Sequence, residues 1–252
     1  FCNLYKIEYF HISWYLYRKK ISFLNANTIL EDESFLFATA LEEVDLPSNI
    51  TTLPNRVFKD CKNLTNITGI DGLNINKAEL LDYMFYGCEK LANLNLSNWV
   101  TSNKLTSMKA MFYNCTAVTK LDVTGFDTSL VKNMSNLFSY CGSLTELDVS
   151  GFDTGLVTTM ANMFNGCLYL PEINLSNFDT SSLTNMTGMF TGCACDIDFS
   201  NKNTENVTTT FAMFNIFYGT SIDMSGCSLK NSKDNRNFIS IADNLIHFKA
   251  PK

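Results

Sequence analysis

The side chains of this chain best suited to redox, metal or nucleophilic chemistry are nine cysteines and two histidines. Six of them, Cys61, Cys88, Cys115, Cys141, Cys167 and Cys193, are spaced by 27, 27, 26, 26 and 26 residues. A zinc site wants Cys-x-x-Cys pairs or their equivalent, and Cys193-Ala194-Cys195 is too short and stands alone. A Cys-His or Ser-His-Asp site needs a histidine beside its nucleophile, whereas His11 and His247 lie at opposite ends of the sequence. No Gly-rich phosphate loop is present. The spacing assigns the six cysteines a structural task, an internal ladder of thiols that pack as small hydrophobes. Disulfides along the ladder and a bound metal are the alternatives. Cys2, Cys195 and Cys227 fall outside it, and nine is odd, so one thiol stays free unless it pairs between chains.

The cysteines are the last mark of a longer phrase. Residues 144–167 place Leu144, Leu147, Val149, Phe152-Asp153-Thr154, Val157, Met160, Met163-Phe164 and Cys167, and the stretches on either side repeat it. The first half alternates apolar and polar residues, as a strand with one buried face does. The second half steps by three and four, which predicts a short helix or 3₁₀ run. The Phe-Asp-Thr between them is turn chemistry, with Asp127, Asp153 and Asp179 suited to cap the following turn. One such coil cannot bury its apolar residues alone, but stacked coils cover one another. The reading is an α/β repeat, a right-handed leucine-rich-repeat solenoid with a parallel sheet on its concave face and short helices and loops on the convex side. Met108, Met134, Met160 and Met186 are core filler.

Stacking would also line up the outward strand positions. One column reads Asn95, Asp122, Asp148, Asn174, Asp198, Asp223, and its neighbours read Asn93, Lys120, Glu146, Glu172, Asp196, Ser221 and Ser97, Thr124, Ser150, Ser176, Ser200, Ser225. Asp122, Glu146, Asp148, Glu172, Asp196, Asp198 and Asp223 thus face one lysine across a possible ligand-binding surface. Carboxylates ~4.8 Å apart repel by only about 1 kcal/mol in water, so a solvated face is the plain account. A basic partner or calcium is the alternative. The face lacks the aromatic and Arg anchors of tight interfaces. Asn-x-Ser/Thr sites such as Asn114, Asn133, Asn185 and Asn206 track the repeat and read as turns before glycosylation sites.

The solenoid spans 35–230. Residues 1–34, aromatic and basic, read as an N-terminal cap and not as a signal peptide. Residues 231–252 read as a C-terminal cap with a short amphipathic helix over 237–247. The 252 residues carry 19 basic and 25 acidic side chains, a net charge of −6, with 46% hydrophobic residues. That balance excludes a partner bound through a nucleic-acid backbone, the 20 Phe and 10 Tyr exclude disorder, and no apolar run is long enough to span a membrane.

Two phrases carry a family resemblance. Leu46-Pro47-x-x-Ile50 through Val57-Phe58-x-x-Cys61, and Asn185-Met186-x-x-Met189-Phe190-x-Gly192-Cys193, resemble the BspA-like leucine-rich-repeat proteins, the later coils being similar to the 26-residue bacterial surface-protein repeat of mycoplasma and Listeria-type lipoproteins. The resemblance covers about 35–230. It implies a cell-surface or secreted, non-catalytic recognition or adhesion module whose partner is a host or cell-surface protein or glycan, with no cofactor. An intracellular or periplasmic ligand-binding scaffold and a metal-stiffened structural spacer are the alternative functions.

Overall fold

The computed structural model describes residues 3–4, 17–23, 30–46, 50, 53–73, 75–101 and 103–251. Among the described residues nine short strands follow one another: β1 Asn3–Leu4, β2 Lys20–Phe23, β3 Glu43–Asp45, β4 Asn66–Thr68, β5 Lys120–Leu121, β6 Glu146–Leu147, β7 Ile197–Asp198, β8 Ser221–Asp223 and β9 His247–Lys249. Every pairing is parallel and joins neighbours in sequence, in sheets of four, two and three strands. The chain is therefore a parallel solenoid, in which each coil lays its strand beside that of the coil before.

The strands are shorter than the alternation predicts, and the sheet is broken in three. One break has a local cause. Pro171 occupies the slot of Thr119 and Thr145, and Thr145 there donates its N–H to the Thr119 carbonyl. Proline has no N–H to give, so the ladder stops after β6.

The second half of each coil is not the expected helix. Among the described residues the sole helical element is a 3₁₀ turn at Ile70–Gly72. In 108–115 the backbone donors alternate. Met108, Ala110, Phe112 and Asn114 give their N–H groups to Asn133, Ser135, Leu137 and Ser139 of the next coil, while Met111, Tyr113 and Cys115 bond back three residues. Ala110 and Asn114 hold left-handed φ angles of 52° and 58°, and two such residues four apart recur in coil after coil. Left-handed residues at that spacing interrupt an α-helix, and the N–H groups it would use are committed to the neighbouring coil. A second ladder of parallel bridges, Leu80, Ser107, Asn133, Thr159, Asn185, Thr209, Asp234, marks where this segment begins in successive coils.

The C-terminal capping helix is also absent. Residues 237–247 continue the ladder: Asn237 is left-handed, Phe214 and Phe217 donate to the carbonyls of Phe238 and Ile241, and β9 pairs with β8. The N-terminal cap, with Cys2 and His11, falls largely outside the described residues, and β2 within it pairs with β3 at a 23-residue offset.

Stacking turns equal slots into columns. Phe35, Phe58, Phe85, Phe112, Phe138, Phe164, Phe190 and Phe214 are buried and stacked at 5.5–5.8 Å between ring centroids. Beside them run the buried Leu, Met and Cys rows. Thr101, Thr128, Thr154, Thr180 and Thr204 form a polar row in the interior, each hydroxyl donating to a carbonyl of the next coil. Such satisfied bonds let a hydroxyl be buried at little cost.

Candidate functional site

The strand face collects the acidic side chains. Register sets Lys120 beside Glu146, and Asp198, Asp223 and Lys249 in one row, with Ser221 opposite His247. Shallow grooves of about 340, 500 and 320 Å³ follow one another along it; the first two share Lys120 and Asp122, and the last two share Glu172. Backbone, Leu147, Pro171 and the outward carboxylates line the middle one.

The Asp column has a job inside the fold. Oδ1 of Asp122, Asp148, Asp198 and Asp223 accepts the N–H two residues on, from Thr124, Ser150, Ser200 and Ser225, at 2.8–3.1 Å. Asn95 and Asn174 accept the same bond. These are Asx turns, the local geometry that short Asp and Asn side chains favour. Bonds from the Thr124 and Ser150 side chains, then from their N–H groups, hold Asp122 and Asp148 below the ordinary carboxylate range. Asp223, bonded by Lys249 and Ser225, is lowered to about 2. Burial pushes Asp196 up, but bonds from the Thr220 N–H and hydroxyl and the Ser221 N–H outweigh it and leave it low. Asp127 and Asp179 repeat the Asx turn at the Phe-Asp-Thr corner, as does Asp153.

The charge count of the face differs from the expectation. Lys249, placed by β9, pairs with Asp223 at 2.6 Å, and Lys120 pairs with Glu146 at 2.6 Å. Lys249 lies in the segment 231–252 read as a C-terminal cap, outside the coils that supply the columns. Among the described residues no three of His, Cys, Asp or Glu converge as a metal site. The sequon side chains are occupied as well: Asn133 and Asn185 accept N–H groups two residues on, and Asn206 donates to the Ser181 carbonyl.

Cys61, Cys88, Cys115, Cys141, Cys167 and Cys193 are fully buried and unpaired. Each thiol points to the Phe carbonyl of the coil before, from Cys61 on Phe35 to Cys193 on Phe164, at 3.1–3.3 Å. Burial raises all six above the ordinary thiol range, Cys141 to about 12. A thiol so placed is held in its neutral form, which is the poor nucleophile.

Two features escaped the sequence. Lys202 fills the slot of Phe126, Phe152 and Phe178, is 6% exposed, and donates to the carbonyls of Ser176 and Phe178. On the turn-rich side, Tyr83, Tyr86, Tyr113 and Tyr140 gather with Arg56, Lys59 and Lys109. These are the Tyr and Arg types that the strand face lacks. Aligning coils on the cysteine shows the signal, because Lys59, Tyr86 and Tyr113 all stand two residues before it.

Three overlapping stretches of the chain, 32–123, 51–166 and 106–227, match the family described as "Mycoplasma protein of unknown function, DUF285". The chain belongs to DUF285. Membership bears out the resemblance read from the repeat phrases to the BspA-like and mycoplasma repeat class. A search of curated proteins gave no match for this DUF285 chain. Among solved structures it is similar to the leucine rich repeat protein of T. pallidum (TpLRR), at 21% identity over 69% of this chain and 76% of that one, with a TM-score of 0.48. No described helix of the DUF285 chain is long and apolar enough to cross a membrane.

Proposed function

We infer that this DUF285 chain is a non-catalytic recognition or adhesion module displayed at a cell surface, a right-handed solenoid whose strand face is the concave side and meets a host or cell-surface protein or glycan. The observation that carries the reading is the run of grooves from Ala92 to Lys202, floored by strand residues and edged by exposed side chains such as Asn93, Lys120, Glu146 and Glu172. Solenoids present such continuous surfaces for ligands. Membership in a mycoplasma repeat family supports surface display, and the raised thiols of the six-cysteine column support a non-catalytic reading.

The test is binding to immobilised extracellular-matrix proteins and cell-wall glycans, compared between the native chain and Glu146→Lys/Glu172→Lys. These two positions are chosen because Asp122, Asp148 and Asp198 hold turns together, so that reversing their charge disturbs the fold along with the surface. Loss of binding in a variant with unchanged melting supports the reading. No binding to any immobilised ligand by the native chain refutes it. The reduced, unpaired thiols favour a second reading, an intracellular or periplasmic ligand-binding scaffold. A metal-stiffened spacer is the third, and a rise in melting temperature on adding calcium identifies it.

A further inference from the structure

Bulky side chains on the turn face stand at Phe37, Arg56, Tyr83 and Tyr140 in slots that several other coils fill with Gly, Ala or Asn, although Ile216 is a further large residue in one of them. The slot of Arg56 and Tyr83 holds Ala110, Asn136, Asn162, Gly188 and Ala212 in the following coils, and the slot of Phe37 and Tyr140 holds Gly87, Asn114, Gly166, Gly192 and Ile216 elsewhere. All of these residues are left-handed, with φ of 57° at Phe37, Arg56 and Tyr83 and 60° at Tyr140. Large side chains are uncommon there and carry backbone strain that glycine avoids. Folding alone does not ask for them.

These side chains form one ribbon. Tyr86 stacks on Tyr113 at 4.5 Å, Tyr113 meets Tyr140 edge-on at 5.5 Å, and Lys59 lies within 5.6 Å of the Phe37, Tyr83 and Tyr86 rings. Phe37 and Tyr140 are 49% and 45% exposed. In the slot of Tyr86 and Tyr113, the Ser139 hydroxyl is fully buried with no partner. The charges of the ribbon balance four to four: Arg56 pairs with Glu33 at 2.9 Å, Lys62 with Glu89 at 3.3 Å and Lys59 with Asp60 at 3.9 Å, and Lys109 stands beside Asp82, whose carboxylate accepts its N–H. Residues 133–228, by contrast, carry nine carboxylates against the single Lys202.

We propose that the ribbon from Phe37 to Tyr140 is the surface through which two copies of this chain associate. Tyr and Arg are the residue types most enriched among interface anchors. A surface with equal numbers of both charges is complementary to itself under a two-fold axis, whereas two acidic coils repel. An antiparallel pair joined at the ribbon also carries the acidic coils of the two copies away from each other. Charge balance argues against a polyanion as occupant, because a nucleic acid or acidic glycan needs excess cations. The proposal does not depend on the strand face being a recognition site.

Sedimentation velocity and light scattering of the 252-residue chain up to ~0.5 mM test it, a range that detects even weak self-association. The native chain is expected to shift from monomer to dimer as concentration rises. Tyr83→Gly/Tyr140→Gly removes the rings but keeps backbone that other coils build with glycine, so its melting temperature is expected to be equal or higher and its association weaker by about tenfold or more. Tyr140→Asn, which copies Asn114 in the same slot, serves as a second variant if the double one melts early. Glu146→Lys/Glu172→Lys on the strand face is expected to dimerise like the native chain. A native chain monomeric throughout, leaving the ribbon to a different partner, overturns the proposal, as does a dimer that survives loss of the tyrosines. Neither result alters the matrix-binding test of the strand face.

Discussion

At the scale of single residues, the cysteine column shows how a reactive group is made inert by its place. Each thiol is enclosed by neighbouring coils and spends its proton on a Phe carbonyl. Burial favours the neutral form, raising Cys141 to about 12 and Cys227 to about 11 from an ordinary value of 9.0. The folded state therefore holds these protons after the unfolded state has lost them. Stability is complete below about pH 9 and falls as the pH climbs toward the raised values. Melting temperatures measured from neutral to strongly alkaline pH are expected to drop in that window, with a shallower loss in Cys115→Ala/Cys141→Ala. Lys202 makes the opposite case, an ammonium in a slot built for Phe. Removing its two donated bonds in Lys202→Met is expected to cost about 1–3 kcal/mol, read from the shift of a urea midpoint. Lys202→Phe, matching the three preceding coils, is expected to recover much of that loss.

Turns, more than strands, are the elements that repeat faithfully. The strands are two to four residues long, while Asx turns at the strand end and at the Phe-Asp-Thr corner recur through the later coils. Lowered carboxylate values at Asp122, Asp127, Asp148, Asp179 and Asp223 mean that the ionised form is the one these turns use. Their contribution is present above the ordinary value of 3.8 and lost as the pH falls toward about 2. Thermal melts across acid pH are expected to show that loss. Asp148→Asn is expected to fold normally and lose less in acid, because Asn95 and Asn174 already make the bond without a charge. Asp148→Ala removes the acceptor and is expected to cost roughly 1 kcal/mol in a denaturant titration.

The whole molecule behaves as a stack in which each coil touches its neighbours, so length is a free variable and phase is not. Deleting residues 144–169, one full period, is expected to leave a folded, shorter solenoid with a proportionately smaller dependence of stability on denaturant. Deleting 144–156 puts strand slots against turn slots and is expected to abolish cooperative unfolding. Circular dichroism during urea titration distinguishes the two. The same logic explains how much was legible beforehand. The period, the buried rows of Phe, Met and Cys, and the outward Asp column are all stated by spacing, and the structure puts the Phe and Cys rows in the interior and the Asp column on the strand face.

Spacing alone determined that this chain is a stack of like coils, since a residue type recurring every 26 positions has one economical use, to meet its own copies. Local conformation was decided elsewhere. Apolar steps of three and four fit a helix, yet Met108, Ala110 and Phe112 give their N–H groups to the next coil, a choice that exists only once that coil is in place. The same holds for Lys249, which reads as part of a terminal cap until β9 sets it beside Asp223, and for the tyrosines, which come from separate coils and become a surface only when stacking brings them within contact. Interactions across coils are set by register, and register is a property of the assembled backbone.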